Sequence, residues 1–269
     1  MRPLRHLKMF HRVALPIFTL WWREIVRFVR QRSRLTGAFA QPLVFWVLLG
    51  GGLSASFRPA GVPEGISYIE YFYPGTIVLV LLFTAIFATI AVVEDRREGF
   101  LQGVLVAPVA RPTIVLGQAL GGTTLAVSQG LLFLLLAPTV GISLSLLSVL
   151  SSVGMMFLMA FGLTTLGLVI AWRMDSTQGF HAIMNLILLP IWLLSGAFFP
   201  TTGAPSWLKL VMTLNPLTYG VAAFRRCLYV GDALKAGEVA PMLPSLVIIG
   251  VFCVVTFLLA IQAAGRSRF

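Results

Sequence analysis

Glu94-Asp95-Arg96-Arg97-Glu98-Gly99-Phe100-Leu101-Gln102-Gly103-Val104-Leu105-Val106-Ala107-Pro108-Val109-Ala110-Arg111-Pro112 separates two long apolar runs, residues 73–93 and 113–138. A helix of about 20 apolar residues crosses a bilayer core. Each flanking run is that long, so the stretch between them is expected at a membrane surface. It opens with charge and continues with Phe100, Leu101, Val104, Leu105 and Val106 around Gln102 and Gly103, an amphipathic turn or two. Pro108 is expected to stop that short helix, because proline cannot donate the next backbone bond. A short helix held flat between two spanning helices is a handle through which something outside the membrane can move both.

Composition agrees. The 269 residues are 58% hydrophobic and 11% charged, and mean hydropathy is +0.93. A soluble domain is nearer a quarter charged. The net charge of +11 is assigned to juxtamembrane loops that set topology, not to nucleic-acid binding. Of the two cysteines, Cys253 sits in an apolar run, and no Cys/His cluster suggests a metal or disulfide framework. The basic N-terminus has no apolar core or cleavage site close behind it and does not read as a cleaved signal peptide.

From Ile17 to Val29, apolar residues recur at helical spacing, with Trp21 and Trp22 among them, while Arg23, Arg27 and Arg30 take another face. This predicts an amphipathic helix in the interface, arginines toward headgroups and aromatics toward acyl chains. Six spans follow: 37–53, a second to Val93, a third from Thr113, then 146–172, 179–199 and 243–264. Tyr68, Tyr71 and Tyr73 read as an interfacial aromatic belt, with Pro74 in the first turn of the second span. In the third span Gly117 and Gly121 form a small-residue face for close helix approach. Gln118, Thr123, Thr124, Ser128 and Gln129 either line a path or bond neighbouring helices. His181 near the start of the fifth span is a packing residue rather than a catalytic one. Between residues 200 and 244, two apolar segments broken at Asn215-Pro216 are too short to span and read as re-entrant or interfacial helices.

Six spans put both ends on one side, together with the Glu94 stretch and the Arg173 loop. Lys and Arg then number fifteen on that side and five on the other, where Arg58, Lys209, Arg225, Arg226 and Lys235 fall. That bias places the termini in the cytoplasm. No charged residue falls mid-span, which argues against an ion-coupled carrier. The chain has no phosphate-binding loop, no nucleophile elbow and no zinc-protease motif, so neither ATP hydrolysis nor other enzymatic chemistry is expected of it.

Three groups of residues resemble the membrane subunits of type-2 ABC exporters, the ABC-2 membrane family. The first is Glu94 to Leu101 with Leu105-Val106-Ala107-Pro108-Val109 and Leu116-Gly117. The second is Leu189-Pro190 with Leu194-Ser195-Gly196-Ala197-Phe198-Phe199-Pro200. The third is Leu214-Asn215-Pro216-Leu217-Thr218-Tyr219 with Phe224-Arg225-Arg226. The resemblance implies a single all-α membrane domain over residues 1–269: six transmembrane helices, a connecting helix at 12–34, a coupling helix within 94–112 and re-entrant helices within 200–230.

It also implies sites. Glu94, Asp95, Arg96, Arg97, Glu98, Gly99, Phe100, Leu101 and Pro108 would couple to an ATPase, and Arg173 and Asp175 would make a second cytoplasmic contact. Gly196, Phe198, Phe199, Pro200, Asn215, Pro216 and Tyr219 would form the exit gate. No cofactor belongs to this chain, since ATP and Mg would be held by two partner ATPase subunits. The other implied partners are a second permease copy, giving a homodimer, and membrane lipids. The implied setting is the inner membrane and the implied cargo a drug, lipid or glycan. Polysaccharide or lipo-oligosaccharide export, and a non-exporting role in membrane assembly or maturation, remain alternatives.

Overall fold

The computed structural model describes residues 3–52, 66–237 and 239–266, and the described residues contain helices and no strand. The loop expected around Arg58, Pro59, Pro63 and Glu64 lies outside them.

The first helix, α1, runs Pro3–Arg30 and meets α2 (Arg32–Phe45) at Gln31; α2 widens into a π-helical segment, Trp46–Gly51. The helix expected over 12–34 therefore ends at Arg30, and Arg32 and Arg34 lie in α2. Helix α3 (Tyr68–Arg97) follows, then the short α4 (Phe100–Val106) and α5 (Arg111–Leu134). Next come α6 (Leu146–Ala171) and α7 (Thr177–Trp192), which runs into a second π segment, Leu193–Ala197. Two helices too short to span, α8 (Ser206–Leu214) and α9 (Pro216–Leu228), precede α10 (Ala233–Ala236) and the long α11 (Met242–Arg266).

Four of these rods are long and apolar enough to cross a membrane: 68–97, 146–171, 177–197 and 242–266. Thr36–Gly51 is a shorter apolar helix. Helix α5 has 24 residues but carries Gln118, Thr123, Thr124, Ser128 and Gln129 along its length. The architecture is an all-α membrane protein with the helices at the expected places in the chain.

The rods alternate in direction, giving the bundle a charged end and an opposite, Tyr68 end. Arg96 reaches the end of α6 and Arg111 the end of α11, while Tyr73 meets the end of α5 and Tyr68 the end of the second π segment. Helix α3 is the hub, with 94% of its spanning window buried against 28% for α11. A helix apolar all round needs partners all round, and α2, α5, α6, α7 and α9 supply them. Ser67 caps α3 by accepting the Glu70 amide, so the helix starts well before Pro74. Pro74 consequently lies in the second turn, not the first, and the carbonyl of Glu70 loses its helical donor.

Glycines set the closest approaches. A Cβ at Gly117 would lie 2.9 Å from Leu20 Cβ, and one at Gly121 would lie 2.7 Å from Glu24 Cβ, so α1 seats directly on the small-residue face of α5. Two polar residues of α5 bond its neighbours: Trp21 donates to Thr124 Oγ1 at 3.0 Å, and Thr84 donates to Gln129 Oε1 at 2.7 Å, whereas Thr123 and Ser128 donate to carbonyls of α5 itself. His181 packs edge-on to the rings of Phe87 and Phe180.

Candidate functional site

At the charged end, α3 does not stop at Val93. It continues through Arg97, so Glu94, Asp95 and Arg96 form its last turns instead of a separate surface segment. Gly99 then adopts φ +76, the left-handed conformation that glycine takes at little cost, and turns the chain into α4. Helix α4 ends at Val106 because Ala107, the residue before Pro108, is extended. Ala110 is extended too, and Pro112 sits in the first turn of α5, where its missing donor is harmless.

Asp95 is fully buried and is the centre of an ion cluster. Arg23 Nη1 and Nη2 donate to its two carboxylate oxygens at 2.7 and 2.6 Å, a bidentate pair. Arg27 Nη1 also donates to Asp95 Oδ1, and its Nη2 donates to Glu94 Oε2 at 2.7 Å. The Asp95 hydrogen bonds hold the Arg23 guanidinium above its ordinary value, against the opposing effect of burial. Arg23 also stacks on Phe100, 3.8 Å from the ring centroid. One arginine thus joins α1, the end of α3 and the start of α4. The arginines expected to meet headgroups are turned inward at Arg23 and Arg27, because Glu94 and Asp95 offer closer charges; Arg30 stays exposed.

Arg96 makes the companion link. It donates to the Trp172 carbonyl and, at 3.0 Å, to Asp175, tying α3 to the α6–α7 turn; Arg173 is exposed beside it. Of the residues expected to couple, Leu101 is buried and Asp95 and Arg96 are committed to internal pairs, whereas Arg97, Glu98, Phe100 and Pro108 are exposed. Between α1 and α4 lies an apolar groove of about 540 Å³, lined by Leu15, Pro16, Thr19, Phe100 and Val104.

At the Tyr68 end, the expected gate residues do come together. Gly196, at φ +79, kinks the second π segment near its end. π-bulges of this kind often mark functional sites. Asn215 holds two elements at once: its Nδ2 donates to the Ile191 carbonyl at 2.6 Å, and its Oδ1 accepts the Leu217 amide as the cap of α9. Pro216 fills the first position of α9, Tyr219 donates to the Thr213 carbonyl at 3.0 Å, and Phe198 crosses Tyr68, Phe72 and Phe199 edge-on. Pro200 leads into a 3₁₀ turn, Thr201–Gly203.

Four participants were not expected there. Tyr68 and Tyr71 are buried, not a surface belt, and donate to the carbonyls of Phe198 and Gly196, both at 3.1 Å. Arg225, counted above as a loop charge, is 2% exposed inside α9. Its guanidinium lies 3.9 Å from the centre of the Tyr71 ring and donates to the Tyr71 carbonyl at 2.9 Å. Its place beside Phe224 and four residues after Val221, on the apolar face of α9, was the available signal. Trp192 Nε1 donates to the Gly75 carbonyl at 2.8 Å, across a contact so close that a Gly75 Cβ would meet Ala197 O at 2.7 Å. Trp192→Phe is expected to cost about 1 kcal/mol, read as a small fall in thermal midpoint of the purified protein.

The sequence model of the ABC-2 type transporter family matches residues 16–229. The chain is 30% identical to the putative transport permease ycf38 of Cyanophora paradoxa over 213 residues, covering 78% of this chain and 72% of that protein. It is 28% identical to the same-named protein of Porphyra purpurea over 217 residues, 80% of this chain and 74% of that one. It is 26% identical to nodulation protein J of Rhizobium leguminosarum bv. trifolii over 215 residues, 79% of this chain and 80% of that protein. With these matches spanning the charged end, α4 and the Asn215 turn, the chain belongs to the ABC-2 type transporter family as a transport permease of the membrane.

Proposed function

We propose that this permease is the membrane half of an exporter powered by ATP hydrolysis on two separate ATPase subunits. The observation that carries the reading is the mounting of α4. It is clamped between two long rods, stands among the exposed Arg97, Glu98, Phe100 and Pro108, and is keyed to α1 through Arg23. A nucleotide-driven partner seated on α4 pushes α3 and α5 together. Arg23 carries the displacement into α1, and Arg96 carries it into the α6–α7 turn. At the far end of α3, Tyr68 and Tyr71 hold the carbonyls of Phe198 and Gly196, so a tilt of the rod pulls on the gate.

In this reading the protein works with a second copy of itself in the inner membrane, with both termini and α4 in the cytoplasm and the Tyr68 end outward. The cargo is a drug, lipid or glycan-type molecule leaving the cytoplasm. ATP and Mg are held by the partner subunits.

The test is reconstitution of the purified chain alone and with its ATPase. ATP hydrolysis by the permease alone overturns the reading. So does full-rate transport by Glu98→Arg, which reverses an exposed charge on the coupling surface. Gly99→Pro is expected to abolish transport, because proline fixes φ near −65° where the turn needs +76°. The folded fraction, followed by gel filtration, should stay near that of the unmodified chain in Glu98→Arg.

A further inference from the structure

Along α1 at the charged end runs an open trough of about 580 Å³, and four charged side chains line it: Arg23, Arg27, Arg30 and Glu98. Two of them are already spent. Arg23 is held by Asp95, and Arg27 by Asp95 and Glu94. The other two are open: Arg30 and Glu98 are exposed, and neither forms an ion pair among the described residues. After internal pairing the trough therefore offers a ligand one cation and one anion. The Asp95 hydrogen bonds do most to raise the Arg23 guanidinium, and the charge of Glu98 adds to it, so Glu98 stands near Arg23. Arg30 lies two turns further along α1, about 10 Å from Arg23. That spacing leaves room for a small zwitterion between the two open charges.

The rim of the trough says where such a ligand comes from. Thr19, Trp22, Val26 and Arg30 recur at three- and four-residue steps and make its α1 wall. Trp22 also belongs to the exposed apolar stripe of α1, with Phe18 and Val29. On an interfacial helix such a stripe faces acyl chains, with tryptophan at headgroup level. The trough thus opens beside hydrocarbon, within reach of a lipid head whose tails stay in the leaflet. Exposed ion pairs are individually weak, but a leaflet presents its headgroups at high effective concentration, so a shallow site fills. The headgroup chemistry follows from the two open charges. A guanidinium fork matches phosphate oxygens, and a primary ammonium brings three donors to a carboxylate. Phosphatidylglycerol has no positive charge for Glu98, and the quaternary ammonium of phosphatidylcholine has no proton to donate.

We infer that this trough binds the headgroup of an aminophospholipid from the surrounding leaflet, its phosphate on Arg30 and its primary ammonium on Glu98. The bound head bridges α1 and the α3–α4 corner from outside, where Asp95 bridges them from within. The inference concerns binding to the lone chain and depends neither on the ATPase nor on the direction of transport.

In the experiment the purified full-length chain in detergent micelles is titrated with dioleoyl phosphatidylethanolamine, phosphatidylcholine or phosphatidylglycerol, and bound lipid is counted by native mass spectrometry. Phosphatidylethanolamine is expected to bind about tenfold more tightly than the other two, the worth of one charge-assisted hydrogen bond. Glu98→Gln should bring the three lipids level. Arg30→Gln should weaken all three about tenfold, since each carries the phosphate. Arg32→Gln, at an exposed neighbour outside the trough, should change nothing. Val26→Cys keeps both charges and gives a second readout on the trough wall. Phosphatidylethanolamine should shield it from a soluble maleimide and phosphatidylcholine should not; the native Cys227 and Cys253 are buried. Equal binding of the three lipids by the unmodified chain overturns the inference. So does a preference for phosphatidylglycerol, the mark of a plain basic patch, or phosphatidylethanolamine binding that is unchanged in Glu98→Gln or Arg30→Gln. Shielding of Val26→Cys by free phosphoethanolamine at the same concentration, or by the ATPase and no lipid, also overturns it, because the occupant is then a solute or a protein.

Discussion

Asp95→Ala is expected to cost the folded protein about 3–5 kcal/mol, the largest effect of any single change at the charged end. The size follows from asymmetry. The carboxylate is fully buried and accepts from two arginines, so its removal leaves Arg23 and Arg27 facing one another against α3 without their shared partner. Arg27 keeps Glu94, and Arg23 keeps its stack on Phe100 and a 3.4 Å contact with Glu24 on its own helix. Asp95→Asn should recover part of the loss, because an amide still offers one acceptor oxygen. The thermal midpoint of the purified chain gives the cost. A disulfide cross-link between cysteines placed at Trp21 and Thr124 reports whether α1 stays docked. If the midpoint and the cross-linking yield are both unchanged in Asp95→Ala, the ion cluster does not hold α1.

Gly121→Ile should release the same helix from its other anchor. The added Cβ would stand 2.7 Å from Glu24 Cβ and 3.5 Å from the Trp21 carbonyl, and neither the helix backbone nor a Cβ can step aside as a flexible side chain can. Overpacking in well-filled interiors costs about 1–3 kcal/mol. Here the added cost includes the Trp21–Thr124 hydrogen bond and strain on the Arg23–Asp95 pair, because one seated helix makes all three contacts. Gly117→Ile should behave alike through Leu20. Gly103→Ile is the control: it lies on exposed α4 with nothing within 4 Å of its Cβ position, so its midpoint should barely move. Loss of the α1 cross-link in Gly121→Ile and its retention in Gly103→Ile are the expected pair of results.

The long rods were legible from hydropathy because a bilayer imposes one length on every span. The breaks were legible from Gly99, Pro108 and Asn215-Pro216, whose backbone constraints act locally. Interior charge was harder to see. Arg23 and Arg27 follow a helical period that fits a solvated face as well as a buried one. Only the position of Asp95, more than sixty residues away in the chain, decides between them. Arg225 posed the same problem in reverse, since charge counting assigns every arginine near a span to a loop. The tyrosines misled for a related reason: Tyr68 and Tyr71 have the composition of a headgroup belt, and what draws them inward is a pair of carbonyls freed by a π-helical irregularity at Gly196. Both π segments follow a proline within four residues, Pro42 before Trp46 and Pro190 before Leu193, a pattern visible in the sequence but without a unique outcome there.

Helix α3 is enclosed almost entirely by its own chain, yet it has the highest hydropathy of the four spanning candidates. It is also made early: α5, α6, α7 and α9, which come to surround it, all follow it in the sequence. During synthesis it must therefore reside in lipid before it has neighbours, and its greasiness suits that interim. Maturation then exchanges acyl chains for protein around a rod already in place, and this wrapping is complete only when α9 arrives.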